Sequence, residues 1–305
     1  MTMTTIETNS FKAWLLASRP KTLTGAISPV LLALSLTWQH ITYGNVTEGL
    51  CFQWTPAILC CLFALSMQIN ANFINDYFDC IKGVDNEERL GPARACSQGW
   101  ITLAAMKRGI IIATLASIAI GLPTIYWGGW QLIVIGLLCI AFAFLYTTTF
   151  SRLGLGDVLV ILFFGLTPVC TTFYVMTGTV TAQVVILSLA MGLITDTLLL
   201  VNNYRDRETD KAVNKKTLVV LIGAKATEYL YLLVGIVSVV MSFVVIRENS
   251  DSGSVHLLYL FLPLHLWAWH KMVSIKKGKE LNAVLGTTAR NIFLFALLVC
   301  AVLLF

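Results

Sequence analysis

Charged side chains are scarce. Asp, Glu, Lys and Arg make up 12% of the 305 residues, against 57% hydrophobic, where a water-facing globular domain carries about 25% charge. A chain so poor in charge cannot cover a solvated surface, which excludes an ordinary soluble one- or two-domain protein. Histidine is sparse too: His40, His256, His265 and His270 lie outside every motif below, none at a zinc spacing from a cysteine, and interfacial positions are expected for them. The eight cysteines form no Cys-x-x-Cys pair. Most sit in apolar runs, where cysteine packs as a small hydrophobe, so a disulfide framework is not expected. The opening Met1 to Ser10 is polar and lacks the basic stretch of a secretory signal, so no cleavage is expected. Period-two alternation is also missing, and the whole chain reads as α-helical.

What is present is a series of long apolar runs. Spanning about 30 Å of hydrocarbon takes roughly 20 apolar residues per helix. Nine runs qualify, centred on Leu31, Leu65, Leu115, Leu138, Gly165, Met191, Gly235, Leu264 and Leu298. If each crosses the bilayer, all but one of the 21 Lys and Arg residues fall on one side, the exception being Arg247. By the positive-inside rule that side is cytoplasmic. The expectation is therefore a single all-α membrane domain over residues 1–305, with 1–11 a polar N-terminal tail. It has about nine transmembrane helices, its N-terminus cytoplasmic and its C-terminus external. The net charge of +5 follows this topology and is no nucleic-acid footprint.

Acidic residues concentrate on the same side. The second run ends in Asn70-Ala71-Asn72-Phe73-Ile74-Asn75-Asp76-Tyr77-Phe78-Asp79, with Asp85, Glu87 and Glu88 beyond it. At about 100° per residue, Asn72, Asp76 and Asp79 share one helix face. The sixth run ends in Asn202-Asn203-Tyr204-Arg205-Asp206-Arg207-Glu208-Thr209-Asp210-Lys211, where Asn202, Asp206 and Asp210 do the same. One such stripe reads as a solvated interface face. Two on one side suit Mg²⁺, which takes oxygen ligands and is held by one or two carboxylates plus substrate phosphates. The metal would neutralise a leaving diphosphate, with Arg205, Lys211, Arg89 and Arg94 adding fixed positive charge. Asp196 lies about 15 Å deeper than Asp206 along the same helix. A carboxyl at that depth is costly, and both an acceptor-binding group and a paired core residue account for it. Tyr77, Tyr146 and Tyr204 are candidates to shield a carbocation with their ring faces; an interfacial belt position suits Tyr77 better, and Tyr146 stays a site candidate.

At these residues the chain resembles the UbiA-type intramembrane prenyltransferases, and within them the branch acting on 1,4-dihydroxy-2-naphthoate in menaquinone synthesis. Arg19-Pro20-Lys21-Thr22-Leu23 is similar to that branch's opening, and Asn75-Asp76-Tyr77-x-Asp79-x₃-Gly83-x-Asp85 to its first acidic motif, followed by Arg89-x-Gly91-Pro92-x-Arg94. Gly154-Leu155-Gly156-Asp157 and Phe163-Phe164-Gly165 resemble the start of its fifth span. Asn202-Asn203-x-Arg205-Asp206-x₃-Asp210 with Lys216-Thr217-Leu218 resembles its second motif. Three features depart from the pattern: Asn214 where glycine is usual, Thr148-Thr149-Phe150 in place of a Gly/Pro-rich turn, and Asp196 itself.

The resemblance implies Mg²⁺-dependent transfer of a polyprenyl group from polyprenyl diphosphate to 1,4-dihydroxy-2-naphthoate, with loss of the carboxylate to give demethylmenaquinone. It implies Asp76, Asp79, Asp206 and Asp210 as metal ligands, and Asn72 and Asn202 as orienting groups. Arg205 and Lys211 would hold the diphosphate, supported by Arg19, Lys21, Arg89 and Arg94. The expected location is the inner (cytoplasmic) membrane, with the site facing the cytoplasm, membrane lipids as surroundings and no obligate protein partner. Other acceptors (4-hydroxybenzoate, homogentisate, a haem, a glycerol phosphate) share the same motifs. An ion-coupled transporter is the rival of another class, but it would place its acids near the bilayer midplane, whereas here they gather at one edge.

Overall fold

The computed structural model describes residues 6–44, 50–83, 89–150, 153–249 and 253–305. Asp85, Glu87, Glu88 and Arg152, used above in the charge pattern, lie outside the described residues. The described chain is helical throughout: α1 (Phe11–Ser18), α2 (Pro20–Tyr43), α3 (Trp54–Ile81), α4 (Leu103–Gly128), α5 (Gln131–Thr148), α6 (Gly156–Thr177), α7 (Ala182–Ala212), α8 (Leu218–Ile222), α9 (Ala224–Asn249), α10 (Phe261–Ile275) and α11 (Leu281–Leu304). Each of the nine apolar centres falls in one of these helices.

Among the described residues, seven helices are long and apolar enough to cross a membrane: α3, α4, α5, α6, α7, α9 and α11. The other two runs differ for identifiable reasons. Helix α2 has 24 residues but carries Lys21 and a series of hydroxyl and amide side chains. The run around Leu264 is divided between a 3₁₀ stretch, Gly253–Leu260, and the 15-residue α10.

The packing is that of a bundle whose outside is as apolar as its inside. Leu115, Leu137 and Leu233 are more than half exposed, while Leu36, Phe173, Leu187, Phe261 and Phe295 form the main core between α2, α6, α7, α10 and α11. Glycine sets the closest approach. A Cβ on Gly165 of α6 would lie 2.5 Å from the Ser188 carbonyl oxygen and 2.6 Å from the Gly192 Cα, and one on Gly192 would lie 2.8 Å from the Ile161 oxygen. The backbones of α6 and α7 therefore touch directly, close to a π-helical turn at Leu162–Leu166. His265 is not interfacial: it is buried, its ring stacked on Tyr231 and its Nε2 3.0 Å from the Tyr231 carbonyl oxygen of α9.

Helix starts follow the capping rules, with Ser10, Thr102, Thr181 and Thr217 accepting from the backbone N–H three residues on. The break between α1 and α2 falls at Arg19, which adopts φ 50° and ψ 68° ahead of Pro20; proline disfavours the α conformation in the residue before it. The described part of the N-terminal segment is tied down at Asn9. Asn9 donates its N–H to the Trp100 carbonyl (2.8 Å) and accepts from the Thr102 N–H (3.1 Å), fastening residues 89–102 to the start of α1.

Candidate active site

The ends of α3 and α7 open into one cavity of about 1540 Å³. Its mouth is lined by seven basic side chains (Arg19, Lys21, Lys82, Arg89, Arg94, Arg205, Lys215) and by Asp76, Asp79, Asp206 and Asp210, with Asp157 in the wall below. Towards the other face of the bundle the lining turns apolar, through Met67, Phe163 and Val175 to Leu132 and Ile125. Along α3 the lining runs from Asp76 to Cys60, about 24 Å at 1.5 Å per residue. Phe142 and Phe163 stack face to face beside Tyr146, which also lines the cavity.

Each carboxylate has a counter-charge or donor already in place. The oxygens of Asp76, a residue only 1% exposed, accept from the backbone N–H groups of Ala95 (3.0 Å) and Cys96 (2.9 Å). Asp79 pairs with Arg94 at 2.6 Å. Asp206 accepts two bonds from Arg205, Nε at 2.7 Å and a terminal nitrogen at 2.6 Å. Arg205 is itself buried, and its other bonds reach Asn202 (2.9 Å) and Asn282 of α11 (2.7 Å). Asn282 in turn donates to the Leu90 carbonyl at 2.7 Å. A Cβ on Gly91 would lie 3.1 Å from Arg205 and 3.2 Å from Arg89. The segment after α3 is thus laid across the arginine of the second motif, which brings both motifs to one place. Burial, and then the Arg94 guanidinium, lower the Arg19 pKa to about 10, with Asp76 and Asp79 opposing. Arg19 therefore keeps its charge at neutral pH and belongs to the same cluster.

Two sequence candidates do not reach the cavity. Asn72 is turned about 100° from the lining position Ala71 and is buried against the α1–α2 junction, donating to the Ser18 carbonyl (2.8 Å) and the Thr22 hydroxyl (3.0 Å). On α3 the asparagine that faces the cavity is Asn75, which accepts from the Thr147 hydroxyl. Lys211 is exposed and points elsewhere; Lys215 takes its place. Asn214, where the resemblance leads one to expect glycine, has φ 57°, a left-handed conformation that asparagine tolerates. The Lys215 N–H reaches back to the Asp210 carbonyl at 2.9 Å, which is the Schellman closure of a helix end. That turn returns the Lys215 ammonium to the Asp210 carboxylate (3.1 and 3.2 Å). Tyr204 is a core residue, its hydroxyl 2.5 Å from Glu228, and Tyr77 packs edge-on against Phe78.

Sequence reasoning missed Asn75, Lys82, Lys215 and Asn282. Asn75 was within reach, since it lies inside the quoted motif, whereas Asn282 carries no local signal. One outcome follows from the lysine exchange. Lys215→Ala should raise KM for an anionic diphosphate ligand by about 10- to 100-fold, the value of a charge-assisted hydrogen bond. Lys211→Ala should change it less than threefold, and steady-state kinetics on the two variants would check the assignment.

The sequence profile of the UbiA prenyltransferase family matches residues 26–299. The chain is 33% identical over 264 residues to a Haemophilus influenzae protein named 1,4-dihydroxy-2-naphthoate octaprenyltransferase, covering 83% of each. It is 31% identical over 304 residues to the Mycobacterium leprae protein of the same name, covering 96% of this chain and 97% of that one. Its fold is similar to that of a UbiA homolog from Archaeoglobus fulgidus bound to DMAPP and Mg²⁺. The TM-score is 0.63 at 15% identity, over 95% of this chain and 98% of that one.

Proposed function

The chain belongs to the UbiA prenyltransferase family, and from that premise we infer that it transfers a polyprenyl group from its diphosphate to 1,4-dihydroxy-2-naphthoate. The observation that carries the residue-level reading is the single cavity with a basic, carboxylate-bearing mouth at the ends of α3 and α7 and an apolar remainder. A charged head joined to a long apolar tail matches that division.

In this reading Arg205, Lys215, Arg94 and Arg19 hold the diphosphate, with Lys21 and Arg89 at the rim, and the tail runs along the apolar lining of α3 and α6. The donor set fits Mg²⁺: hard oxygens of Asp76, Asp79, Asp206 and Asp210, with Asn75 and Asn202 beside them. Among the described residues no three His, Cys, Asp or Glu side chains form one closed metal cage, so phosphate oxygens would complete the shell, as is usual for this ion. Bound there, the ion supplies charge neutralisation for the leaving diphosphate.

Heterolysis of the allylic C–O bond leaves its electron pair on the diphosphate. The ring carbon bearing the carboxylate forms the new C–C bond with its π electrons, and release of CO₂ returns an electron pair to the ring. The ring faces of Tyr146, Phe142 and Phe163 stabilise the cation by about 2 kcal/mol when water is excluded.

The protein is a multi-pass membrane protein. We place it in the cytoplasmic membrane as one domain, with nine spans, the mouth and N-terminus on the cytoplasmic side and the C-terminus outside. Eight 3₁₀ residues at about 2 Å and fifteen α residues at about 1.5 Å rise give the Gly253–Ile275 run enough length to cross, and the basic residues then fall on one side.

Native membranes given polyprenyl diphosphate, 1,4-dihydroxy-2-naphthoate and Mg²⁺ should yield demethylmenaquinol, detected by mass spectrometry as demethylmenaquinone after air oxidation, together with CO₂ and diphosphate. EDTA should stop the reaction and Mg²⁺ restore it. A product formed from 4-hydroxybenzoate or homogentisate, with none from the naphthoate, would overturn the acceptor.

A further inference from the structure

We propose that Asp157, in the cavity wall beneath the head-group mouth, binds a hydroxyl of the aromatic acceptor, with Asp196 buried behind it as its positioning partner. This rests on the acceptor reading above and goes beyond it by naming the residues that choose the ring.

The pair is built by the glycine contact of α6 and α7. The antiparallel register that sets Gly165 against Ser188, and Ile161 against Gly192, continues to Gly156 against Leu199. Between those contacts Asp157 on α6 comes opposite Asp196 on α7, and the two are close enough to interact electrostatically. Both also lie within electrostatic reach of the Tyr146 hydroxyl. Asp157 faces the cavity, flanked by Tyr146, Thr195 and Leu199.

Two observations separate this pair from the acids at the mouth. First, none of those is left without a partner, whereas Asp157 and Asp196 are 6% and 4% exposed and each keeps an Oδ1 with no hydrogen-bond partner. Buried polar atoms left in that state cost roughly 1–3 kcal/mol each, and such exceptions call for a cause. Second, among the described residues the basic side chains that line the cavity, Lys82, Arg205 and Lys215 among them, belong to the mouth. Such a pair offers several acceptor sites and, when it carries a proton, a donor, the complement of a phenolic hydroxyl, which both donates and accepts. Asp196 lies six residues below Asn202, about 9 Å along the axis. A bicyclic ring with its carboxylate towards the basic mouth would reach down to Asp157 with the hydroxyl at position 4.

The test compares two acceptors, 1,4-dihydroxy-2-naphthoate and 1-hydroxy-2-naphthoate, in wild type, Asp157→Leu and Asp196→Leu, all in membranes with Mg²⁺ and the same prenyl diphosphate. The wild-type rate on the dihydroxy acid reads the proposed reaction by itself. The ratio of kcat/KM between the two acids reads the pair. That ratio should fall by about 100-fold in either variant, because the dihydroxy substrate loses its partner and the monohydroxy one never had it. KM for the prenyl diphosphate should stay within threefold, and the melting temperature should hold or rise, since an unpaired buried carboxyl has been removed. An unchanged ratio, or equal losses on both acids, would overturn the assignment while leaving the overall reaction intact.

Discussion

Replacing Asp206 by asparagine should lower kcat/KM for the prenyl diphosphate about 1000-fold, equivalent to roughly 4 kcal/mol of transition-state stabilisation. Two effects combine. Asp206, itself about a quarter exposed, is the acidic partner of a buried guanidinium, bonded at 2.7 and 2.6 Å, and its carboxylate fixes the direction in which Arg205 is presented to the diphosphate. In the proposed reading the same carboxylate, with Asp210, is the second motif's contribution to the metal, so the variant would also weaken neutralisation of the leaving diphosphate. Single-turnover kinetics and thermal unfolding separate the two. Catalytic loss should far exceed any fall in melting temperature, because Arg205 keeps Asn202 and Asn282. Turnover within tenfold of wild type would remove Asp206 from the site.

The largest effect on folding is expected from Gly165→Ala. A methyl there has no room: the Ser188 carbonyl oxygen at 2.5 Å, the Gly192 Cα at 2.6 Å and its nitrogen at 2.7 Å are all backbone atoms, which cannot rotate aside. Overpacking typically costs 1–3 kcal/mol when side chains can give way; here the helices themselves must part, so a loss above about 3 kcal/mol is expected. Gly136→Ala on α5, where nothing lies within 4 Å of the added Cβ, serves as the control and should be neutral or slightly stabilising. Detergent-solubilised protein should accumulate normally for the control and poorly for Gly165→Ala. Equal melting temperatures would show that α6 and α7 do not depend on this contact.

Much of this protein is legible in its sequence because the bilayer forces the pattern. Apolar length marks the helices, and the acidic stripes at the ends of α3 and α7 come directly from helical phase. Phase alone does not settle every residue. Asn72 is spaced correctly from Asp76, and Gln68 and Asp76, a turn to either side of it, both line the cavity, yet its amide is taken up by the Ser18 carbonyl and the Thr22 hydroxyl of the α1–α2 junction. Lys211 lost its place to Lys215 because the chain reverses at Asn214, and a reversal sits outside any helical wheel. Asp157 lies in a quoted motif and Asp196 was noticed, but their meeting depends on the register of two helices packed through Gly165 and Gly192. Asn282, the link between Leu90 and Arg205, is beyond reach for a different reason: its partners lie 192 and 77 residues away.

The strip from Leu90 to Trp100 is held at three points before any ligand arrives: by the Asp76 carboxylate, by Asn9 and by Asn282. Immobilising a segment of that length while a ligand docks would consume much of the ligand's affinity. Here the immobilisation is a consequence of folding, and docking meets a rigid rim. Affinity for a short donor and for a long one should then differ through the tail alone.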